Sequence, residues 1–182
     1  MFADLPKLDR NTPTMTAAQI ITFVGAAALV GAWFFQFVIG LAPCPLCMEQ
    51  RIAYYFAIPL AAMVMLGVTH GSNPRILMLA MLAIAAGMLW NSGLGVYHSG
   101  IEWKWWPGPQ ECSGTPNLGA IKDLQEALKN ARIVRCDEAP WRFLGLSLAG
   151  YNVLISLGLA TVALWGALAK PSSNYGSSSV SQ

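Results

Sequence analysis

The sequence has few charged residues. Asp, Glu, Lys and Arg make up 11% of its 182 residues, against roughly 25% in an ordinary soluble domain. The formal net charge is +2 and the basic residues form no run, so the chain lacks the electrostatic pattern of a nucleic-acid-binding protein. With 55% hydrophobic residues, the composition is typical of a protein embedded in a lipid bilayer.

Cysteine is also scarce, with four copies. One Cys-x-x-Cys is present, from Cys44 to Cys47, whereas Cys112 and Cys136 lie twenty-four residues apart. A zinc site built from two knuckles would need a second closely spaced pair. We therefore disfavour structural zinc and predict no metal site.

Four apolar runs are each long enough to cross a bilayer. We predict an all-α membrane protein, a four-transmembrane-helix bundle with a long loop between spans three and four. Residues 1–14 and the Ser-rich residues 171–182 are predicted to be tails of a 15–170 membrane domain, the second of them disordered. The predicted spans are residues 17–39, 46–68, 75–97 and 143–168, and the predicted loop is residues 98–142.

The segment from Cys44 to Arg51 joins the first two apolar runs. If the second helix begins near Leu46, its exposed N–H groups and dipole favour a thiolate there, and Pro45 suits a first helical turn. Arg51 follows Cys47 by one helical turn, so its guanidinium lies on the same face as that sulfur. The segment therefore indicates a reactive dithiol at a membrane surface.

All four cysteines fall in the first and third loops, which face the same side of a four-span protein. Lys and Arg counts do not decide which side this is, because the long third loop carries many charges of both signs. Disulfides persist outside the cytosol. We therefore predict extracytoplasmic cysteine loops and cytoplasmic termini.

Two dithiol pairs on one face of a bundle can pass electrons by thiolate attack on a disulfide. Taken alone, Cys112 and Cys136 are equally compatible with a structural disulfide. Cys44 and Cys47 enclose too short a ring to constrain the chain, which favours thiol exchange. A dithiol beside Arg51 at an apolar bundle suits a hydrophobic electron acceptor such as a quinone, whose developing oxyanion a cation stabilises.

These residues resemble the bacterial disulfide bond formation protein B (DsbB) family. The resemblance covers the whole chain and includes Cys44-Pro45-Leu46-Cys47, Arg51, the second cysteine pair and Trp141-Arg142-Phe143-Leu144-Gly145-Leu146 before span four. It implies a multi-pass enzyme of the bacterial inner membrane with periplasmic cysteine loops. The enzyme would reoxidise a DsbA-like periplasmic thioredoxin-fold oxidase and pass the electrons to ubiquinone or menaquinone.

The resemblance also implies catalytic roles for the cysteines. Cys112 would form the mixed disulfide with the partner, and Cys136 would be its mate and pair transiently with Cys44. Cys47 would react with the membrane quinone. We expect the third loop to move so that Cys136 reaches Cys44.

Two further residues match the family's quinone site. Arg51 corresponds to its arginine, and His98 stands roughly where the family carries a quinone-proximal histidine. A single histidine at a helix end is also often a capping or interfacial residue. Glu49 and Gln50 receive no role.

Two alternatives remain open from the sequence. In the first, the chain is a non-enzymatic tetraspan scaffold with a structural loop disulfide. That interpretation accounts for Cys112 and Cys136 but not for Cys44 and Cys47. In the second, the chain is a DsbB-like paralogue that serves a dedicated partner.

Overall fold

The computed structural model describes residues 13–109, 136, 139 and 141–169. Within this part of the chain, four helices are long and apolar enough to cross a membrane, which confirms the predicted all-α, four-span fold. The predicted tails and most of the predicted loop, Cys112 included, lie outside the described residues. The helices are α1 (Pro13–Phe37), α2 (Pro45–Thr69), α3 (Pro74–Glu102) and α4 (Leu148–Leu168), and a hairpin of β1 (Arg142–Phe143) and β2 (Leu146–Ser147) precedes α4.

The bundle buries small residues and exposes large apolar ones. Ala17, Ala61 and Ala160 are completely buried, whereas Phe23 and Trp90 are each 73% exposed. Small side chains let the helix backbones approach closely in a membrane bundle. Large exposed apolar side chains are suited to a helix surface that meets hydrocarbon.

The third span is longer than predicted. Helix α3 continues to Glu102 instead of ending at residue 97, so His98 lies inside a helix and not at the start of the loop. The chain folds back over this last turn, where the Trp106 ring leaves no room for a Cβ at Gly100. Trp106 Nε1 donates a hydrogen bond to the Tyr97 carbonyl, 2.9 Å away. The packing and hydrogen bond of Trp106 stabilise this extra turn of α3.

The fourth span begins later than predicted, at Leu148 and not at residue 143. Residues 142–147 form a two-stranded hairpin instead, with Arg142 opposite Ser147. Leu144 and Gly145 have φ values of 50° and 82°, the left-handed backbone that a tight hairpin turn requires. Ser147 then accepts a hydrogen bond from Gly150 N and caps α4.

The α1–α2 link, the end of α3 and Cys136 meet at one end of the bundle. Cys44, Leu46, Ile101 and Cys136 form a single buried cluster there. Helix α2 starts at Pro45 with Cys44 as its N-cap. The dithiol and Cys136 are therefore brought together at the same membrane face.

Helices α3 and α4 pack closely at Gly95. A Cβ there would lie 2.7 Å from Val153 Cγ2 and 3.3 Å from the Val153 backbone nitrogen. We expect Gly95→Ala to separate the helices and to lower the free energy of unfolding by about 1–3 kcal/mol, measured as a lower Tm in detergent. The control is Gly93→Ala, which meets nothing within 4 Å. That substitution is expected to be neutral or stabilising because alanine favours helix, and equal Tm values for the two variants would contradict the prediction.

Candidate active site

The centre of the site is a disulfide between Cys44 and Cys47. Their Cα atoms are 5.0 Å apart, within the first turn of α2. Cys44 is the N-cap, and its Sγ accepts a hydrogen bond from Cys47 N at 3.1 Å. Cys44 is 3% exposed while Cys47 is half-buried. The two sulfurs therefore face different surroundings.

Cys44 faces the buried cluster that contains Cys136. Cys136 is 1% exposed and is itself disulfide-bonded. Leu46 and Ile101 complete the cluster and exclude water from it. A sulfur that reacts with Cys44 from this side meets an apolar environment.

Cys47 faces a cavity of about 600 Å³ between α1, α2 and the start of α4. Its walls are mainly apolar, and Phe35 and Trp141 form one side with ring centroids 5.0 Å apart. A few polar side chains interrupt this lining. They are Gln50, Arg51, Tyr54, His98, Tyr151 and Asn152.

Arg51 lines the same cavity as Cys47. Its guanidinium donates to Gln36 Oε1 at 2.6 Å and to the Ala32 carbonyl at 3.4 Å, both on α1. Among the described residues, no carboxylate lies within ion-pair distance of it. The guanidinium is therefore held at the cavity wall by neutral acceptors.

His98 is 4% exposed and lies between the disulfide and the cavity. Its Nε2 is 3.7 Å from Cys44 Sγ and 3.8 Å from Glu102 Oε1. Its Nδ1 is 2.9 Å from Gln50 Nε2. The structure thus places His98 beside Cys44 as well as at the cavity.

Gln50 has no predicted role, and neither Asn91 of α3 nor Asn152 of α4 is among the predicted site residues. Asn152 Nδ2 donates to Gln50 Oε1 at 2.8 Å, and Tyr54 Oη donates to Asn152 Oδ1 at 2.7 Å. Asn91 Nδ2 lies 3.3 Å from Asn152 Oδ1. The available signal was the presence of amide side chains inside apolar spans, where unpaired polar groups are costly.

The donor atoms of Cys44, Cys47 and His98 lie within 4.8 Å of one another, a spacing that a metal ion can bridge. The two sulfurs are joined in a disulfide, however, and only thiolates ligate metals well. In this oxidised state the cluster offers no thiolate to a metal ion.

The family model of disulfide bond formation protein DsbB matches residues 14–166. The disulfide bond formation protein B of Stutzerimonas stutzeri (strain A1501) is 30% identical over 152 residues, which are 80% of this chain and 90% of that protein. Its namesake in Xanthomonas oryzae pv. oryzae (strain MAFF 311018) is 31% identical over 157 residues, 81% and 87% of the two chains. The protein of the same name from Saccharophagus degradans is 29% identical over 167 residues, which are 87% of this chain and 96% of that protein. No solved structure matches the chain.

The family match covers the four spans and the dithiol. The geometry adds a Cys44–Cys47 disulfide at a helix N-terminus, between a buried cysteine and a cavity among membrane helices. The chain belongs to the DsbB family and is a multi-pass membrane oxidoreductase of disulfide bond formation.

Proposed function

We propose that the protein reoxidises a DsbA-like periplasmic thioredoxin-fold dithiol oxidase and passes the electrons to a membrane quinone. The observation that carries the proposal is the two-sided environment of one disulfide. Cys44 packs in the cluster with Cys136, and Cys47 lines the membrane cavity. Such a disulfide can accept electrons from a thiol on one side and release them to a hydrophobic acceptor on the other.

The thiol steps use all four cysteines. A partner thiolate attacks Cys112 of a Cys112–Cys136 disulfide and releases the electron pair on Cys136. The Cys136 thiolate attacks Cys44, the bond between Cys44 and Cys47 breaks, and Cys47 leaves as a thiolate. A second partner thiolate then attacks the mixed disulfide, which releases the oxidised partner and the Cys112 thiolate.

A movement of the third loop is predicted to bring Cys136 to Cys44. Cys136 and Cys44 already belong to one buried cluster in the described structure. This proximity supports direct exchange between them. Exclusion of water by Leu46 and Ile101 would protect the exchanging thiolates from side reactions.

The cavity suits a quinone headgroup. Its volume of about 600 Å³ lies in the usual range for small-molecule sites, and its walls are mainly apolar. Arg51 would hold a ring oxygen and His98 would line the quinone site, with Cys47 at the wall as the electron donor. A bound ubiquinone or menaquinone supplies a two-electron acceptor, and the Arg51 charge favours its reduced, anionic form.

The proposed topology follows from the same chemistry. The two cysteine-bearing segments meet at one end of the bundle. A soluble thiol partner reaches that end from the periplasm of a bacterial inner membrane, where disulfides persist. Both termini then lie in the cytoplasm.

We expect Cys44 and Cys136 to form a disulfide when they are the only cysteines left. In a Cys47→Ser, Cys112→Ser double variant, most molecules should carry this bond after mild oxidation, because both sulfurs are buried in one cluster. Mass spectrometry of peptides from the non-reduced protein measures the pairing.

The matched control is the Cys44→Ser, Cys112→Ser variant, which also retains two cysteines. Cys47 is half-buried and only flanks the cluster, so its bond with Cys136 is expected to form more slowly. Equal yields in the two variants, or dimers held by Cys136 in both, would contradict direct exchange between Cys44 and Cys136.

A further inference from the structure

We propose that Gln50 and Asn152 are positioning residues that hold His98 in its neutral, Nε2-protonated form, with that N–H directed at the Cys44 sulfur. The inference about the resting structure stands on hydrogen bonds alone. Its consequence for turnover rests on the proposed thiol relay. The three side chains come from different helices, α2, α3 and α4.

The position of the His98 ring proton fixes which atom donates in each hydrogen bond of this chain. Nδ1 lies 2.9 Å from Gln50 Nε2, an amide nitrogen that can only donate, so Nδ1 is the acceptor. Nε2 lies 3.7 Å from Cys44 Sγ and 3.8 Å from Glu102 Oε1, both of which can accept. The ring proton of the neutral imidazole is therefore on Nε2.

The amides of Gln50 and Asn152 continue the same order of donors and acceptors. With Nε2 protonated in the neutral ring, Nδ1 is an acceptor, and Gln50 Nε2 donates to it. Gln50 Oε1 is then left as an acceptor and receives Asn152 Nδ2 at 2.8 Å. Asn152 Oδ1 in turn accepts from Tyr54 Oη at 2.7 Å. Each amide has one orientation that satisfies all of its neighbours.

The far end of the chain is buried and consistent with that direction. Asn91 is completely buried, and its Nδ2 donates to Ser156 Oγ at 2.9 Å and to Asn152 Oδ1 at 3.3 Å. Reversal of Asn152 alone would turn its Nδ2 toward the Nδ2 of Asn91. Reversal of both would move the Asn91 NH2 group to the buried position now held by Oδ1, which has no hydrogen-bond partner among the described residues. Because unpaired donors are costly in a membrane interior, both reversals are disfavoured.

The position of His98 stabilises the Cys44 thiolate that forms in the relay. In the relay, the Cys112 thiolate attacks Cys136 of the Cys44–Cys136 disulfide. The bond between Cys112 and Cys136 forms, the bond to Cys44 breaks, and the electron pair leaves on Cys44. His98 Nε2–H, 3.7 Å from Cys44 Sγ, then donates to an anion and keeps its proton. Cys44 is thereby a better leaving group and is held near Cys47.

The same proton argues against a metal site in the reduced protein. Cys44, Cys47 and His98 have the spacing for one. Ligation by Nε2 needs that nitrogen deprotonated, which would remove the only N–H that the ring can direct toward Cys44 Sγ and Glu102 Oε1. It would also require the amides of Gln50 and Asn152 to turn over.

The tautomer can be measured directly. The chain has two histidines, so heteronuclear NMR of isotope-labelled rings in detergent resolves His98 from His70, with a His70→Gln variant for assignment. We expect His98 to show a protonated Nε2 and an unprotonated Nδ1. In Asn152→Asp, the carboxylate cannot donate to Gln50, the Gln50 amide turns its oxygen toward His98, and Nδ1 should become protonated.

His70 is the internal control. Within the described residues its ring contacts Thr69 and Leu66 of its own turn, so it should not change in Asn152→Asp. A wild-type His98 with protonated Nδ1 would overturn the inference. So would a His98 pattern that is the same in the wild type and in Asn152→Asp. This measurement needs no turnover, so its failure is distinct from failure of the proposed function.

The rate of Cys44 release tests the expected stabilisation of its thiolate. We expect Asn152→Asp to slow release of Cys44 from a trapped Cys44–Cys136 disulfide by about 10-fold to 100-fold and to leave the quinone KM unchanged. His98→Gln, whose amide N–H replaces Nε2–H, should retain more of the rate than His98→Ala. An unchanged release rate with a raised quinone KM would show that the network acts on the quinone and not on Cys44.

Discussion

Cys47→Ser is expected to reduce thiol-driven quinone reduction to the uncatalysed background. Cys47 is the only sulfur of the disulfide that lines the membrane cavity, and serine cannot serve as a thiolate donor. The measurement is quinone absorbance in detergent, with a reduced thioredoxin-fold dithiol as the electron source. In the variant Cys44 is a free thiol, and its thiolate should attack Cys136 of the Cys112–Cys136 disulfide, so that a Cys44–Cys136 disulfide forms and Cys112 leaves as the thiolate.

The control for this experiment is Met48→Ser. Met48 is the next residue, is 46% exposed and does not line the cavity. It is expected to retain wild-type turnover. Sustained quinone reduction by Cys47→Ser would contradict the relay, whereas an inactive wild-type protein with every quinone would contradict the proposed acceptor.

Arg51→Ala is expected to raise the quinone KM by about 10-fold to 100-fold, which corresponds to the loss of roughly 1.5–3 kcal/mol for a hydrogen bond to a charged group. The guanidinium lies at the cavity wall and has no described carboxylate partner. The disulfide of Cys44 and Cys47 should still form and exchange with the partner. A titration of quinone at saturating partner measures the effect.

Arg51→Lys should be intermediate, because lysine keeps the charge but cannot bond Gln36 and Ala32 with one planar group. Arg75→Ala controls for general loss of charge. Arg75 is exposed and follows the α2–α3 turn, away from the cysteine end of the bundle. An Arg51→Ala variant with an unchanged KM and a lower rate of partner oxidation would place Arg51 in the thiol exchange.

The spans were predictable because hydrocarbon imposes a simple requirement. A helix that crosses it needs an uninterrupted apolar run, and that run is visible without any neighbour. Local caps were also predictable. Asn73 accepts from Arg75 N, and Pro74 starts α3, as their residue types favour. The dithiol at the start of α2 follows from the same local rules.

The helix ends near the third loop were not predictable. Helix α3 gains its last turn from Trp106, which folds back onto it, and the start of α4 is displaced by a hairpin with a left-handed turn at Leu144 and Gly145. Both depend on contacts between separate segments. Hydropathy along the chain carries no information about them.

The sequence alone determined that the chain is a four-span membrane protein with a reactive dithiol at one face. It also identified Arg51 as a cation close to that dithiol. These features depend on residue type and spacing within one segment, so they can be read locally.

Only the tertiary structure decided what surrounds each sulfur. It buried Cys136 beside Cys44, opened the cavity beside Cys47 and directed His98 at Cys44. It also joined Gln50 to Asn152, which lies 102 residues away in the chain. Buried polar groups must find partners wherever the bundle brings them together, and that pairing exists only once the helices have packed.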